Sequence, residues 1–302
     1  SNVMETIKKQ TSIQSQNTPQ NIDWGGVLWQ NRTFSHPERT IRVGTSCSGI
    51  AAETQALKQL GLKHEIVFAG DIDKKVKKSF FANYDITEDR WHNDLKLFQA
   101  DKYKGKVDLF LAGICCQSFS LAGKKDGIED EERGTLFKDF CRVVRQCEPK
   151  VFIMENVINM LRVHGGKDWE VILNAFKDLG YDLHYQVLSA NHYDCPQHRE
   201  RIFLIGFKEP NPDFLFPRPV PLTRNVNHIL EPNIPIDFPL DGTDDKGIRP
   251  LTPREALRLQ GFSDDFKIVL PDTDIYHQAG NSICVNVLKA IFRQMDITKY
   301  GI

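Results

Sequence analysis

From Ile41 onward the chain alternates short apolar runs with longer stretches in which apolar residues recur every three or four positions. The runs at 41–44, 65–69, 107–112 and 150–154 have the length of buried strands. The amphipathic stretches near 51–61, 73–83, 134–147 and 168–180 have the period of helices that pack by one face. Strand and helix in alternation predict an α/β fold, a mostly parallel twisted sheet with helices on both faces, of the Rossmann-like kind. Residues 187–190 and 201–207 predict a closing hairpin. Thr252-Pro-Arg-Glu255 supplies a cap, a first-turn proline and an acid three residues on, which together open a helix. A last helix is expected over about 281–295.

The pattern also divides the chain. Residues 1–40 are polar and hold no sustained period, so they read as an extension in which Trp24 and Trp29 could anchor part. Residues 41–207 form the main α/β domain. Residues 208–248 are proline-rich and largely loop or extended, and 249–302 return to the main domain through the last helix.

A chain of 302 residues with 40% hydrophobic content can bury a large core. Its longest apolar runs, such as 107–114, are strand-length, and the amino terminus lacks the apolar stretch of a secretory signal. A cytoplasmic protein without a membrane span is therefore expected. Seven cysteines, odd in number and without a Cys-x-x-Cys pair, favour reduced thiols over a disulfide framework or a zinc site, and no metal is expected. A net charge of −1, from 39 basic and 40 acidic side chains, lacks the global signature of a nucleic-acid binder, so any polyanion surface must be local. Candidates are Lys124, Lys125, Arg133, Arg199, Arg201, Arg218, Arg224, Arg249, Arg254 and Arg258; the acidic run at 129–132 interrupts them.

Candidate chemistry gathers at the carboxyl ends of the expected strands, where open α/β sheets bind ligands. Cys116 follows the apolar run Leu109-Phe-Leu-Ala-Gly113 on a short polar turn, and a reactive thiol or a buried structural cysteine both fit that position. Glu155 stands just beyond the run ending at Met154, and alternation places Arg199 and Arg201 on one face of an extended segment. Singly, the acid could cap a helix and the arginines could be surface charges. Segment 43–52 is a small-residue turn between the first strand and first helix, which lets a ligand approach backbone amides; it lacks Gly-x-Gly-x-x-Gly, which disfavours a nicotinamide or flavin dinucleotide. Asp71, after the second strand, can accept from both hydroxyls of a ribose, while Asp73 can cap the next helix.

Five stretches in this order resemble the DNA cytosine-5 methyltransferases of bacterial restriction and modification systems: Gly113-Ile-Cys-Cys-Gln-Ser-Phe-Ser120, Glu155-Asn-Val157, Gln197-x-Arg199-x-Arg201, Arg249 to Phe262, and Gln278-Ala-Gly-Asn-Ser282. The resemblance implies a catalytic and cofactor-binding domain over 41–207 that uses S-adenosylmethionine, with S-adenosylhomocysteine as product. It implies Ser48, Gly49, Ile50, Leu95, Gly113 and Leu136 in the donor site, with Asp71 on the ribose and Ile72 against the adenine. Asp94 would accept from the adenine amine, and Asn281, Ser282 and Ile283 would close over the methionine end. Cys116 would add to carbon 6 of a cytosine flipped out of duplex DNA. Glu155 would share a proton with ring nitrogen 3, Arg201 would bond the base carbonyl, and Arg199 would orient the site. Gln117, Ser118, Ser120, Lys124, Arg133 and Gln197 would face the DNA. A monomer acting near the nucleoid, alongside a restriction endonuclease for the same site, is the corresponding expectation.

The chain departs from the family pattern in places. Cys115 stands where proline is usual, which should loosen the turn carrying the thiol. Cys47 replaces an aromatic residue, and Ala51 and Ala52 replace glycines. The roughly 40 residues between Phe207 and Arg249 are too few for the usual target-recognition domain, so 208–248 reads as its remnant. Two further readings fit these departures: a cofactor- or DNA-binding remnant without turnover, and an RNA cytosine methyltransferase.

Overall fold

The computed structural model describes residues 28–113, 131–234 and 250–302, and the side chains of these apart from 131–135. In chain order the elements are β1 (Thr40–Ser46), α1 (Ala52–Gln59), β2 (Lys63–Gly70), α2 (Lys74–Asn83), β3 (Trp91–His92), β4 (Leu109–Gly113), α3 (Glu131–Cys147), β5 (Val151–Val157), α4 (Lys167–Asp178), β6 (Asp182–Ser189), β7 (Glu200–Phe207), α5 (Pro253–Leu259), α6 (Asp272–Asn281) and α7 (Val285–Met295). Among the described residues the strands make one sheet in the order β3-β2-β1-β4-β5-β7-β6, parallel from β3 to β5, with β7 antiparallel to both its neighbours. This is the expected α/β architecture.

Strand alternation divides the core into two layers. Leu109, Leu111, Val151, Ile153, Phe203 and Ile205 face one side, under α1, α5, α6 and α7. Phe110, Ala112, Phe152, Met154, Ile202 and Leu204 face the other, under α3 and α4. Adjacent residues of one strand thus enter opposite cores, which forces apolar character at almost every position of β4, β5 and β7.

Two boundaries differ from those the sequence pattern predicts. The run expected to end at Met154 continues to Val157, so Glu155 and Asn156 lie within β5, Glu155 paired to both β4 and β7 and Asn156 to β7. The last helix begins at Val285, not near 281, because Ser282 (ψ 153°) and Cys284 (ψ 120°) are extended and break the run. The residues before the break form α6, which the apolar pattern does not announce. The capping box of α5 is as expected: Thr252 accepts from the Glu255 amide at 3.1 Å, and Glu255 accepts from the Thr252 amide at 2.8 Å.

Part of the polar extension is anchored. Trp29 is buried and donates to the Arg218 carbonyl at 2.8 Å, and Ser35 N donates to Asp296 Oδ2 at 3.0 Å beyond the end of α7. Thr40 and Ile302 exchange both backbone hydrogen bonds, at 2.8 and 2.9 Å, beside the start of β1. Phe214, Phe216 and Val220 of the proline-rich segment are buried in the first core. No helix among the described residues is long and apolar enough to cross a membrane.

The amino edge of the sheet is pinned by a buried acid. Asp108, 0% exposed, accepts from the Arg42 guanidinium at 2.9 and 3.0 Å and from the Arg42 amide at 2.8 Å, with Lys150 Nζ 3.0 Å away. Removing one partner of such a cluster leaves cations without their counter-charge. Asp108→Ala is expected to lower the unfolding free energy by about 3 kcal/mol, measured by urea denaturation. A loss below about 1 kcal/mol would show that the cluster only offsets its own desolvation.

Candidate active site at the carboxyl edge

Strand order reverses direction between β1 and β4, so the loops leaving these strands diverge and open a crevice. The turn from β1 to α1 is tight, with Cys47, Gly49 and Ala51 at positive φ (48°, 54° and 58°). Ser48 fastens it to β2: its amide and hydroxyl donate to the Gly70 carbonyl, and its hydroxyl accepts from the Gly70 amide, each at 2.9 Å. Gly49 N donates to Asp71 Oδ2 at 3.1 Å and Asp73 N to Asp71 Oδ1 at 3.0 Å, while Asp73 caps α2 through the Lys75 amide at 2.8 Å. Burial pushes the Asp71 carboxyl above its usual range, against the pull of these amides. Across the crevice, a Cβ on Gly113 would stand 3.0 Å from the Cys47 carbonyl oxygen, a tight contact that glycine avoids.

These residues fit a nucleoside. Ile72 is 83% exposed beside Asp71, an apolar surface that no described protein group covers, and Asp94 uses Oδ1 to accept from the Lys96 amide at 2.9 Å. Ile50 is buried in the first core layer, Leu95 in the second with the half-buried Leu136 packed against that layer, and the Ile50 carbonyl accepts from Tyr84 at 2.6 Å. Asn281 is exposed at the end of α6, with buried Ser282 and Ile283 following it.

The second half of the site lies on β5 and β7. Glu155 pairs with Gly113 on one side and Phe203 on the other, and Val157 pairs with Arg201, so β7 brings Arg201 Nε to 3.4 Å from Glu155 Oε1. Glu155 is 7% exposed, and burial pushes its carboxyl up to about 7 despite Arg201 and Arg199. Arg199, whose charge also acts on the acid, donates to the carbonyls of Gly280 and Ser282 at 2.9 and 2.8 Å. The Gln197 amide donates to the Leu259 carbonyl at 3.1 Å and to Gln260 Oε1 at 2.9 Å, so its nitrogen is engaged within the protein. Asn156 accepts from the Val157 amide at 2.7 Å, and its buried amide nitrogen has no partner among the described residues. Ile158 and residues 197–201 line an open cleft of about 400 Å³ here.

The family model described as "C-5 cytosine-specific DNA methylase" matches residues 42–241 and 236–296. The chain belongs to this family. It is 31% identical over 286 residues to the type II methyltransferase M1.ScrFI of Lactococcus lactis subsp. cremoris, covering 77% of this chain and 72% of that protein. It is 32% identical over 281 residues to M.NlaX of Neisseria lactamica, covering 76% and 88%. Among solved structures, the Dnmt2 methyltransferase of S. pombe superposes with a TM-score of 0.66 at 17% identity, covering 84% of this chain and 97% of that one, which speaks to the fold alone.

Several residues singled out in this cytosine-5 methylase from its sequence, namely Cys115, Cys116, Gln117, Ser118, Ser120, Lys124, Lys125, Arg249 and the Arg133 side chain, lie outside the described residues. No disulfide joins the described cysteines, and burial pushes the thiols of Cys141 and Cys147 up to about 12, which keeps them un-ionised at neutral pH. Arg258 gives its guanidinium to Asp264 at 2.8 and 2.9 Å and to the Ile229 carbonyl at 3.1 Å.

The structure adds supports that the sequence pattern does not single out. His92, held down to about 4 by burial, meets Ser46 Oγ at 3.1 Å and stacks on Phe98 at 4.0 Å, which ties the ends of β1 and β3. Gln260 donates to the Ala279 carbonyl at 2.9 Å, and its own carbonyl accepts from the Val285 amide at 2.9 Å. Gln278 accepts from Ser79 at 2.8 Å. Polar residues inside otherwise apolar, motif-bearing stretches are the signal that points to them.

A carboxyl that titrates higher in the folded than in the unfolded chain favours folding most below the unfolded value, near 4.5 here, and that contribution is lost as pH rises through the folded value. The stability of the wild type relative to Glu155→Gln should therefore fall by roughly 1–3 kcal/mol between pH 4.5 and 8, read by urea denaturation across that range. A rise in that window would contradict the burial argument.

Proposed function

We propose that this enzyme transfers a methyl group from S-adenosylmethionine to carbon 5 of a cytosine flipped out of duplex DNA, with Cys116 as nucleophile. The observation that supports this most is the placement of Glu155. It is a buried carboxyl whose proton is retained to about pH 7, beside Arg201, in register with the residue from which the chain runs on towards Cys116 three positions later.

Carbon 5 of cytosine is a poor nucleophile until the aromatic ring is interrupted. Thiolate addition of Cys116 to carbon 6 supplies that interruption. Electron density moves towards ring nitrogen 3, where the Glu155 proton is received or shared, and Arg201 donates to the carbonyl oxygen at position 2; both contacts strengthen as charge develops. The bound donor supplies the methyl group to carbon 5. A base such as water then takes the carbon-5 proton, the C–H electron pair re-forms the 5,6 double bond and expels Cys116 as thiolate, and the proton on ring nitrogen 3 returns to Glu155. Arg199 and Asn156 brace the surrounding backbone. On the donor side, Asp71 receives the ribose hydroxyls, Ile72 packs on the adenine, and Asp94 accepts from its amine. Product S-adenosylhomocysteine leaves from the same crevice. The family relatives carry type II restriction-modification names, and pairing with an endonuclease of the same target, in the cytoplasm, belongs to this reading.

Fluorine at carbon 5 blocks the final proton loss, so duplex DNA in which every cytosine is 5-fluorocytosine should hold the enzyme covalently when S-adenosylmethionine is present. Peptide mapping should place the adduct on Cys116. Cys116→Ser should abolish it, and Cys115→Ser should leave it in place. An adduct mapped to Cys115, or no adduct on a mixed-sequence duplex pool, would overturn the proposal.

A further inference from the structure

Arg199 stands immediately before β7 and Arg201 within it, two residues apart, and their guanidinium groups go to different places. Arg201 turns towards Glu155. Arg199 donates through one nitrogen to two backbone carbonyls, those of Gly280 and Ser282. These carbonyls flank Asn281, the last residue of α6, at the start of the break before α7, where Ser282 is extended. A break of this kind leaves carbonyls without helical partners, and a charged donor is a strong replacement.

The same joint is fastened from both sides. The Gln197 amide holds Gln260 at 2.9 Å, and Gln260 holds the Ala279 carbonyl at 2.9 Å. Asn286, in the first turn of α7, donates to the Asp194 carbonyl at 3.1 Å. Every one of these links runs between the entry to β7 and the α6–α7 break, and none reaches Asp71, Ile72 or Asp94. The nucleoside half of the crevice is held through Ser48, Gly70 and Gly49, and α6 also meets α2, the helix after Asp71, through Ser79–Gln278 at 2.8 Å and Lys75–Asp274 at 2.9 Å.

We infer that Arg199 is a positioning residue for the methionine end of the methyl donor, acting through the Gly280 and Ser282 carbonyls, while Arg201 serves the base. Two arginines at the entry to β7 therefore serve two different substrates. The inference rests on the proposed donor site, in which residues 281–283 close over the amino-acid part of the ligand. It assigns Arg199 no contact with the cytosine.

The test uses two ligands that differ only in what lies beyond the sulfur. S-adenosylhomocysteine carries the amino-acid tail, and 5′-methylthioadenosine carries only the nucleoside and a methyl thioether. Calorimetric titration of the full chain should show Arg199→Met binding S-adenosylhomocysteine about tenfold more weakly than wild type, with methylthioadenosine within about twofold. Arg199→Lys, which can still donate to both carbonyls, should recover most of the loss, and Arg201→Met should leave both affinities within about twofold. Thermal melts of each unliganded variant identify any that is unfolded at the titration temperature, in which case the lysine variant alone carries the comparison, its S-adenosylhomocysteine affinity lying between that of the wild type and a loss of about tenfold, with methylthioadenosine within about twofold. Equal weakening of both ligands, or weakening of neither, overturns the inference while leaving the donor site standing. Failure of the wild type to bind S-adenosylhomocysteine overturns the donor site itself, and the inference with it.

Discussion

A parallel sheet opens a crevice at its carboxyl edge only where neighbouring connections leave in opposite directions, and here that place is the gap between β1 and β4. The site works only if the gap stays narrow but passable. Gly113 supplies the passage, because any side chain there would press on the Cys47 carbonyl. The left-handed turn at 47–51 supplies the narrowness, folding the backbone back so that Ser48 and Gly49 grip the end of β2. The acidic and apolar groups of Asp71 and Ile72 then stand on one side of the gap, and Glu155 stands one strand beyond it on the other.

The two ends of the sheet treat buried acids in opposite ways. Asp108 at the amino edge has a bidentate arginine, a backbone amide and a lysine, and its charge is fully met. Among the described residues Glu155 at the carboxyl edge has one guanidinium, at 3.4 Å, too little to offset its desolvation. Both are carboxylates near a strand end in a seven-stranded sheet of described residues, and the difference lies in the number of donors each is given. A fully compensated acid stabilises; an under-compensated one keeps an exchangeable proton near neutral pH.

Much of this is legible in the sequence. The period-2 and period-3.6 patterns place the sheet and most helices, and Arg201 falls in β7 with Arg199 immediately before it. Less legible is what each side chain does there. Glu155 looks like a residue past a strand end, because pairing by β7 extends β5 beyond its apolar run. Helix α6 is hidden because its interior carries only Ile275 and Ala279 as buried apolar residues, and its end reads as a glycine-containing loop. Gln260 and His92 act through long-range partners, at Ala279 and Ser46, that no local pattern specifies.

The exchange of backbone hydrogen bonds between Thr40 and Ile302, and the packing of α7 on α1, have a kinetic side. The first βα unit emerges from the ribosome some 240 residues ahead of the elements that cover it. Until 285–302 has been synthesised, the apolar face of α1 and the entry to β1 lack their covering, and closure across that sequence separation is entropically slow. Nascent chains of this enzyme should accordingly depend on holding factors throughout translation, a liability written into the fold by the long journey of its final helix back to its first strand.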